Sequence, residues 1–282
     1  MATETTTLTL NIAGKLISLK RPLIMGILNL TPDSFYAESR CEGRERIAAR
    51  AREIVEQGGD IIDAGAYSSR PGATDVTEEE ETKRLCEGLG IIREIYPDIP
   101  VSIDTFRAGV ARKAIEEFGA AIINDISGGA DPAMYSTAAE FHTPYILMHM
   151  RGTPDTMQQH TQYGNITAEI IKYFSEKIAR LHAVGVNDII LDPGFGFAKE
   201  LDDNYRLLNE LHEFTPFGMP ILAGISRKSM IYRLLGTTPG ESLNGTTAAN
   251  MLALTKGANI LRVHDVRECA ETIKIFQKTN GK

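Results

Sequence analysis

Met25-Gly-Ile-Leu-Asn-Leu-Thr-Pro-Asp-Ser-Phe35 starts apolar and turns polar within a few residues. Ile24 to Leu28 is apolar on both faces and too short for a core helix, so it reads as a buried strand. Asn29, Thr31, Asp33 and Ser34 follow, with Pro32 among them to stop a helix. Such a strand delivers oxygen and amide groups from its carboxyl end to the rim of a sheet.

The same pattern recurs along the chain. Apolar runs end in polar residues at Asp60 to Asp63, Val101 to Asp104, Ile122 to Asp125, Tyr145 to His149, Ile189 to Asp192, Ile221 to Ser226 and Ile260 to His264. With the opening run these make eight strands. Between them lie segments of helical spacing with helix-start residues, such as Thr77 before four glutamates and Asn165 before Ile170, Ile171 and Phe174. Strand and helix alternating in this way predict an α/β fold, a parallel (β/α)8 TIM barrel. An open doubly wound sheet is the alternative, because closure does not show in a sequence. Either fold gathers the chemistry at the carboxyl ends of the strands. Ahead of the barrel, Thr7 to Asn11 and Lys15 to Lys20 alternate around Ala13-Gly14, which predicts a β-hairpin covering the amino-terminal end. The chain thus reads as one domain, hairpin over 1–20 and barrel over 21–282.

A net charge of -7 with no basic cluster argues against a nucleic-acid partner. Any anionic ligand must be met by cations placed locally. Cys41, Cys86 and Cys269 are far apart and form no metal-spaced pair, which fits reduced thiols in a cytoplasm. No stretch approaches the ~20 apolar residues needed to span a bilayer, so a membrane partner is not expected. No basic-then-apolar leader is visible at the start. Glu78 to Glu81 suit the first turn of a helix, where acids complement the dipole, better than a metal site.

Several strand ends carry groups that a purely structural core would not place there. Asp104, Asn124 and Asp192 offer carboxylates and an amide, and burying them without partners costs several kcal/mol. Lys228, in Gly224-Ile-Ser-Arg-Lys-Ser229, lies at a helix start. Arg262 and His264 alternate onto one face beside the first strand, forming an anion site with Asn29. Arg70 stands between hydroxyls and Pro71-Gly72 in the second loop, and Phe195 and Phe197 stand on a glycine-rich turn. His149 has no second histidine at metal spacing and reads as a hydrogen-bonded structural residue. Acids and an amide beside a lysine suit a flat heterocycle bearing ring N–H and carbonyl groups. Basic groups opposite suit a phosphate or pyrophosphate, with first-loop oxygens able to hold Mg2+.

Asn29-Leu-Thr-Pro-Asp-Ser-Phe35, Ser68-Ser-Arg-Pro-Gly72, Ser102-Ile-Asp-Thr105, Asn124-Asp-Ile-Ser-Gly-Gly129, Asp192-Pro-Gly-Phe-Gly-Phe197, Ser226-Arg-Lys228 and Arg262-Val-His-Asp265 together closely resemble the motifs of the dihydropteroate synthase family, in that family's order. The resemblance implies condensation of 6-hydroxymethyl-7,8-dihydropterin pyrophosphate with p-aminobenzoate to give 7,8-dihydropteroate and pyrophosphate. It implies a pterin held by Asp104, Asn124, Met148, Asp192, Lys228 and Arg262. It also implies a p-aminobenzoate site of Phe35, Ser69, Arg70, Pro71, Phe195 or Phe197, Lys228 and Ser229, which sulfonamides would share. Pyrophosphate would meet Asn29, Arg70, Arg262 and His264, and Asn29 would help to hold Mg2+. The catalytic set is then Asn29, Asp33, Arg70, Lys228, Arg262 and His264, working by an SN1-like departure of pyrophosphate. A homodimer packed through barrel helices is implied as well. One motif departs: where many members read Gly-Glu-Ser-Thr-Arg-Pro-Gly, this chain has Ala66-Tyr67-Ser68-Ser69-Arg70-Pro71-Gly72, with Tyr67 in place of an acid. A corrinoid-dependent methyltransferase on a related barrel and a non-catalytic pterin-binding copy are the alternatives, and neither needs Arg70, Arg262 and His264 together.

Overall fold

A computed structural model describes residues 8–30, 40–67 and 76–279, with no account of the side chains of 40–42. Asp33, Phe35, Ser69, Arg70 and Pro71 lie outside the described residues.

Ten strands are described. β1 (Thr9–Ile12) and β2 (Lys15–Ser18) form an antiparallel hairpin in which Thr9 pairs with Ser18 and Ile12 with Lys15. The other eight are β3 (Leu23–Asn29), β4 (Ile61–Gly65), β5 (Val101–Asp104), β6 (Ile122–Asp125), β7 (Tyr145–Met148), β8 (Ile189–Asp192), β9 (Leu222–Ala223) and β10 (Ile260–Val263). They form one parallel sheet in the order β8-β7-β6-β5-β4-β3-β10-β9. A single parallel bridge between Leu191 and Ile221 brings β9 back to β8, giving a nearly closed barrel. β9 is the shortest strand, so the ladder is weakest where the ring closes.

The alternation of inward and outward side chains sorts the apolar residues into two cores. Outward residues such as Ile24, Ile62, Ile103, Leu147 and Leu191 join the inner faces of the surrounding helices in one continuous core. Inward residues at the strand starts, Met25, Ile61, Ile122, Ile146, Ile190, Leu222 and Ile260, form a second cluster inside the barrel. Leu10, Ile12 and Leu19 pack onto that cluster from the hairpin side, so the hairpin plugs the amino-terminal end, as its position in the chain implies. Burying each such side chain contributes roughly 1.5–3 kcal/mol. Polar groups are thereby left to the opposite mouth.

The helices start where their sequences say. Thr77 is extended and its hydroxyl accepts from Glu80 N at the head of the helix Glu78–Ile95, with Glu78 to Glu81 in its first turn. Asn165 caps the helix Ile166–Ala183 in the same way, accepting from Ala168 N.

Candidate active site

Barrel register sets the site's floor. Gly65, Asp104 and Asn124 lie opposite one another across β4, β5 and β6, and Met148 lies opposite Asp192 across β7 and β8. Gly65 contributes no side chain to this layer, and a Cβ there would lie 3.1 Å from that of Asp104. A side chain at Gly65 would therefore crowd Asp104.

Arg262 crosses this floor from β10. Its Nε donates to Asp63 Oδ2 and an Nη to Asp104 Oδ2, each at 2.6 Å. Asn124 Nδ2 donates to the same Asp63 carboxylate at 3.2 and 3.3 Å. Burial works against the Arg262 charge, yet Asp63 and Asp104 outweigh it and raise the guanidinium above its ordinary range. Asp104 is pushed up to about 7, chiefly by burial, with Arg262 pulling the other way and Asp63 adding like charge. Asp192 is also raised by burial, against the pull of Lys228 and an amide bond from Gly194. Asp104 thus keeps or sheds a proton near neutral pH, which suits hydrogen-bonding to a neutral heterocycle.

Lys228 stands on the other side, at the start of the helix Ser229–Leu235. Its ammonium donates to the Phe195 carbonyl and lies 4.4 Å from the centre of the Phe197 ring. Burial brings Lys228 down to about 8, with Asp192 opposing and Arg262 adding repulsion. The Phe195 ring is fully buried in the outer core, so of the two aromatics it is Phe197, half-buried under the lysine, that borders the mouth. Arg227 adopts φ +55, a costly value for an arginine, which turns its guanidinium away to a two-point bond with Asp265 at 2.5 and 2.9 Å. Ser226 and Lys228 on either side are left for the mouth.

His264 follows β10 and lies against Ser226, its Nδ1 3.1 Å from the hydroxyl. Burial, then the Arg262 charge, bring the imidazole down to about 4, so it is neutral at pH 7. Its carbonyl accepts from Arg50 at 2.6 Å, which anchors the loop to the helix Arg40–Glu56. Asn29 is exposed at the end of β3, and Ser229 is half-buried beside Lys228. Met148 is buried on the inner face of β7.

The mouth therefore brings together Asp104, Asn124, Met148, Asp192, Phe197, Lys228, Arg262 and His264, while Phe195 contributes through its carbonyl. Sequence reasoning ended the second apolar run at Asp63 and gave it no role, whereas β4 continues to Gly65 and Asp63 lies mid-strand, facing inward. Its signal was its position, but its partner Arg262 lies 199 residues away. Asp125, beside Asn124, belongs elsewhere: alternation turns it outward, where it accepts from Ser127, Gly129 N and the Tyr145 hydroxyl. His149 is buried at the end of β7, edge-on to Tyr173, and is a structural histidine as its sequence context implies. Burial takes its imidazole down to about 2.

Residues 25–264 match the profile of the family described as pterin binding enzyme. Among curated relatives, dihydropteroate synthase of Escherichia coli (strain K12) is 41% identical over 268 residues, covering 94% of both chains. A solved structure of Xanthomonas albilineans dihydropteroate synthase with 4-aminobenzoic acid superimposes with a TM-score of 0.90 at 35% identity, covering 98% of this chain and 100% of that one. The Yersinia pestis dihydropteroate synthase in a sulfonamide drug complex gives 0.89 at 37% identity, with coverage of 98% and 100%.

Proposed function

The chain belongs to the dihydropteroate synthases of the pterin-binding enzyme family, and on that premise we propose how its own residues divide the reaction. The substrates are 6-hydroxymethyl-7,8-dihydropterin pyrophosphate and p-aminobenzoate, and the products 7,8-dihydropteroate and pyrophosphate. The observation that carries the division is Arg262, which spans the floor between Asp63 and Asp104 while its neighbour on the same face, His264, reaches the rim.

The pterin enters the mouth with its ring N–H and amino groups toward Asp104, Asn124 and Asp192, and Lys228 meets its carbonyl. Met148 supplies an apolar wall. Asp104, raised to about 7, can meet the ring without the full cost of a buried charge. Arg262 lies across the ring and, with Asn29 and His264, holds the pyrophosphate. Arylamine and sulfonamide bind above, against Phe197, Lys228 and Ser229, with Phe35, Ser69, Arg70 and Pro71 from the first two loops.

The arylamine is a weak neutral nucleophile, so catalysis lies in stabilising the leaving group rather than in activating the amine. Arg262 keeps its charge throughout, and His264 can take up a proton as anionic charge gathers beside it. The electron-rich dihydropterin tolerates positive charge on its exocyclic carbon, which favours an SN1-like course. Among the described residues there is no cluster of three acidic, histidine or cysteine ligands, and the carboxamide of Asn29 is one oxygen donor at the rim. That fits Mg2+, which is commonly held by one or two protein oxygens with water and substrate phosphate. When bound, the ion would neutralise pyrophosphate charge.

A homodimer packed through barrel helices is supported by the exposed Leu234, Leu235 and Leu252 on the neighbouring helices Ser229–Leu235 and Leu243–Thr255. A cytoplasmic location is supported by free Cys86 and Cys269. No helix among the described residues is long and apolar enough to cross a membrane.

Steady-state kinetics of site variants test the division. Asp192→Asn and Lys228→Gln should raise KM for the pterin substrate by about tenfold or more, the equivalent of ~1.4 kcal/mol for a lost charged contact. Phe197→Ala should raise KM for p-aminobenzoate instead. A pterin KM unchanged in both floor variants would remove the pterin from this mouth.

A further inference from the structure

The turn after β8 is tightly wound, with Gly194, Gly196 and Ala198 at φ +72, +80 and +48. It lies directly on the end of β7: a Cβ on Gly194 would come 2.1 Å from the His149 carbonyl oxygen. This winding aims the carbonyls of Gly194 and Phe197 at one point, and the Lys199 ammonium occupies it, donating to them at 2.8 and 2.9 Å. Its remaining proton faces His149, with Nδ1 at 3.2 Å and the carbonyl at 3.4 Å. Lys199 is only 6% exposed.

A lysine this deep is costly, because an ammonium loses its water on burial. An apolar side chain would avoid that cost but leave two or three carbonyls unpaired. The charged groups facing Lys199 are Asp192 on β8, Lys228 after β9, Arg151 after β7 and Asp203 on the helix Leu201–Asn209, beside the His149 ring. Burial dominates and brings the amine down to about 7, with Asp192 opposing and Lys228 and Arg151 adding repulsion. Even a neutral amine keeps two N–H groups for Gly194 and Phe197.

The same turn seats three groups of the mouth. Gly194 N donates to Asp192 Oδ1 at 2.8 Å, the Phe195 carbonyl receives Lys228, and the Phe197 ring lies under that ammonium. Two further bonds finish the turn, from Tyr163 to the Ala198 carbonyl at 2.9 Å and from Gly196 N to Asn204 Oδ1 at 2.6 Å.

We propose that Lys199 is a positioning residue for the pterin site: from below, it holds the turn 193–198 in the one winding that presents Asp192 and Lys228 to the ring. It touches neither substrate and acts through the backbone. This inference rests on the reading that Asp192 and Lys228 bind the pterin.

The test is a double-mutant cycle read as the dissociation constant for dihydropterin pyrophosphate, using Lys199→Met, Lys199→Gln, Lys228→Gln and the Lys199→Gln/Lys228→Gln pair. Lys199→Met should weaken binding by about tenfold and Lys199→Gln, whose amide retains two donors, by about threefold. In the Lys228→Gln background, Lys199→Gln should add clearly less than its threefold alone, because part of its effect runs through Lys228 and the remainder through Asp192. If Lys199→Met does not fold, Lys199→Gln and the cycle decide. Wild-type affinity in the Lys199 variants, or full additivity in the cycle, overturns the proposal while leaving the site standing. Wild-type affinity in Lys228→Gln overturns the site and the proposal with it.

Discussion

Asp63→Asn is the sharpest perturbation of the floor, because it changes one oxygen to an amide and little else in shape. The Asp63 carboxylate, fully buried, receives Arg262 Nε at 2.6 Å and Asn124 Nδ2 at 3.2 and 3.3 Å. An asparagine has a single acceptor oxygen for those two donors and brings two donors of its own. At least one charged hydrogen bond is weakened and one buried N–H is left unpaired, at about 1.5–3 and 1–3 kcal/mol. Arg262 keeps Asp104, and loss of the Asp63 charge also lets Asp104 ionise more readily, which restores part of the pairing. The net expectation is a loss of about 2–4 kcal/mol of folding stability, read in urea unfolding with unchanged slope. Pterin affinity should fall by about tenfold, since Arg262 is no longer held across the floor. Stability within about 0.5 kcal/mol of wild type, a shift typical of an inconsequential surface change, would refute the argument that Asp63 sets Arg262.

Three further outcomes are expected. Asp104 is raised to about 7 from a usual 3.8, so the folded state holds its proton longer, and the stability it contributes fades as pH rises from about 4 to about 7; in Asp104→Asn that decline should vanish from a series of urea midpoints. His264, depressed to about 4, should gain a proton when a pyrophosphate group arrives. Calorimetric titration with the pterin substrate near pH 6, in buffers of different ionisation heat, should show net uptake that shrinks in His264→Ala; equal uptake in both would exclude the histidine. Gly194→Ala combines φ +72 with a 2.1 Å approach to backbone and should cost at least about 2 kcal/mol or prevent folding; a wild-type thermal midpoint would contradict the turn's geometry.

Much of this architecture was legible because local chemistry and long-range placement agree. Thr77 and Asn165 announce their helices through capping that any chain would use. Apolar runs that end in acids or amides marked the strand ends, and barrel order then had to bring Asp104, Asn124, Asp192 and Arg262 to one mouth. Closure was not legible, since it rests on the two-residue β9 and one bridge at Ile221. Nor was the division between Asn124 and Asp125: both are strand-end polar residues, and only the start of alternation in β6 decides which faces in. Phe195 and Phe197 pose the same difficulty on the turn, where left-handed glycines break any alternation rule. Asp63 and Lys199 were missed because their partners assemble only in the folded chain. Asp63 is defined by Arg262 from a distant strand, and Lys199 by the Gly194 and Phe197 carbonyls that converge on it only once the left-handed turn is wound, so an isolated acid or lysine carries no mark of either.

The most direct test of the account is product formation by the purified protein given dihydropterin pyrophosphate and Mg2+, with and without p-aminobenzoate, following pyrophosphate and pterin product together. Pyrophosphate and 7,8-dihydropteroate should appear in equal amounts when the amine is present. Binding of the pterin substrate with no condensation, under conditions where an active relative turns over, would contradict it and point to a binding protein whose second-loop motif, with Tyr67 in place of an acid, has lost its part in the reaction.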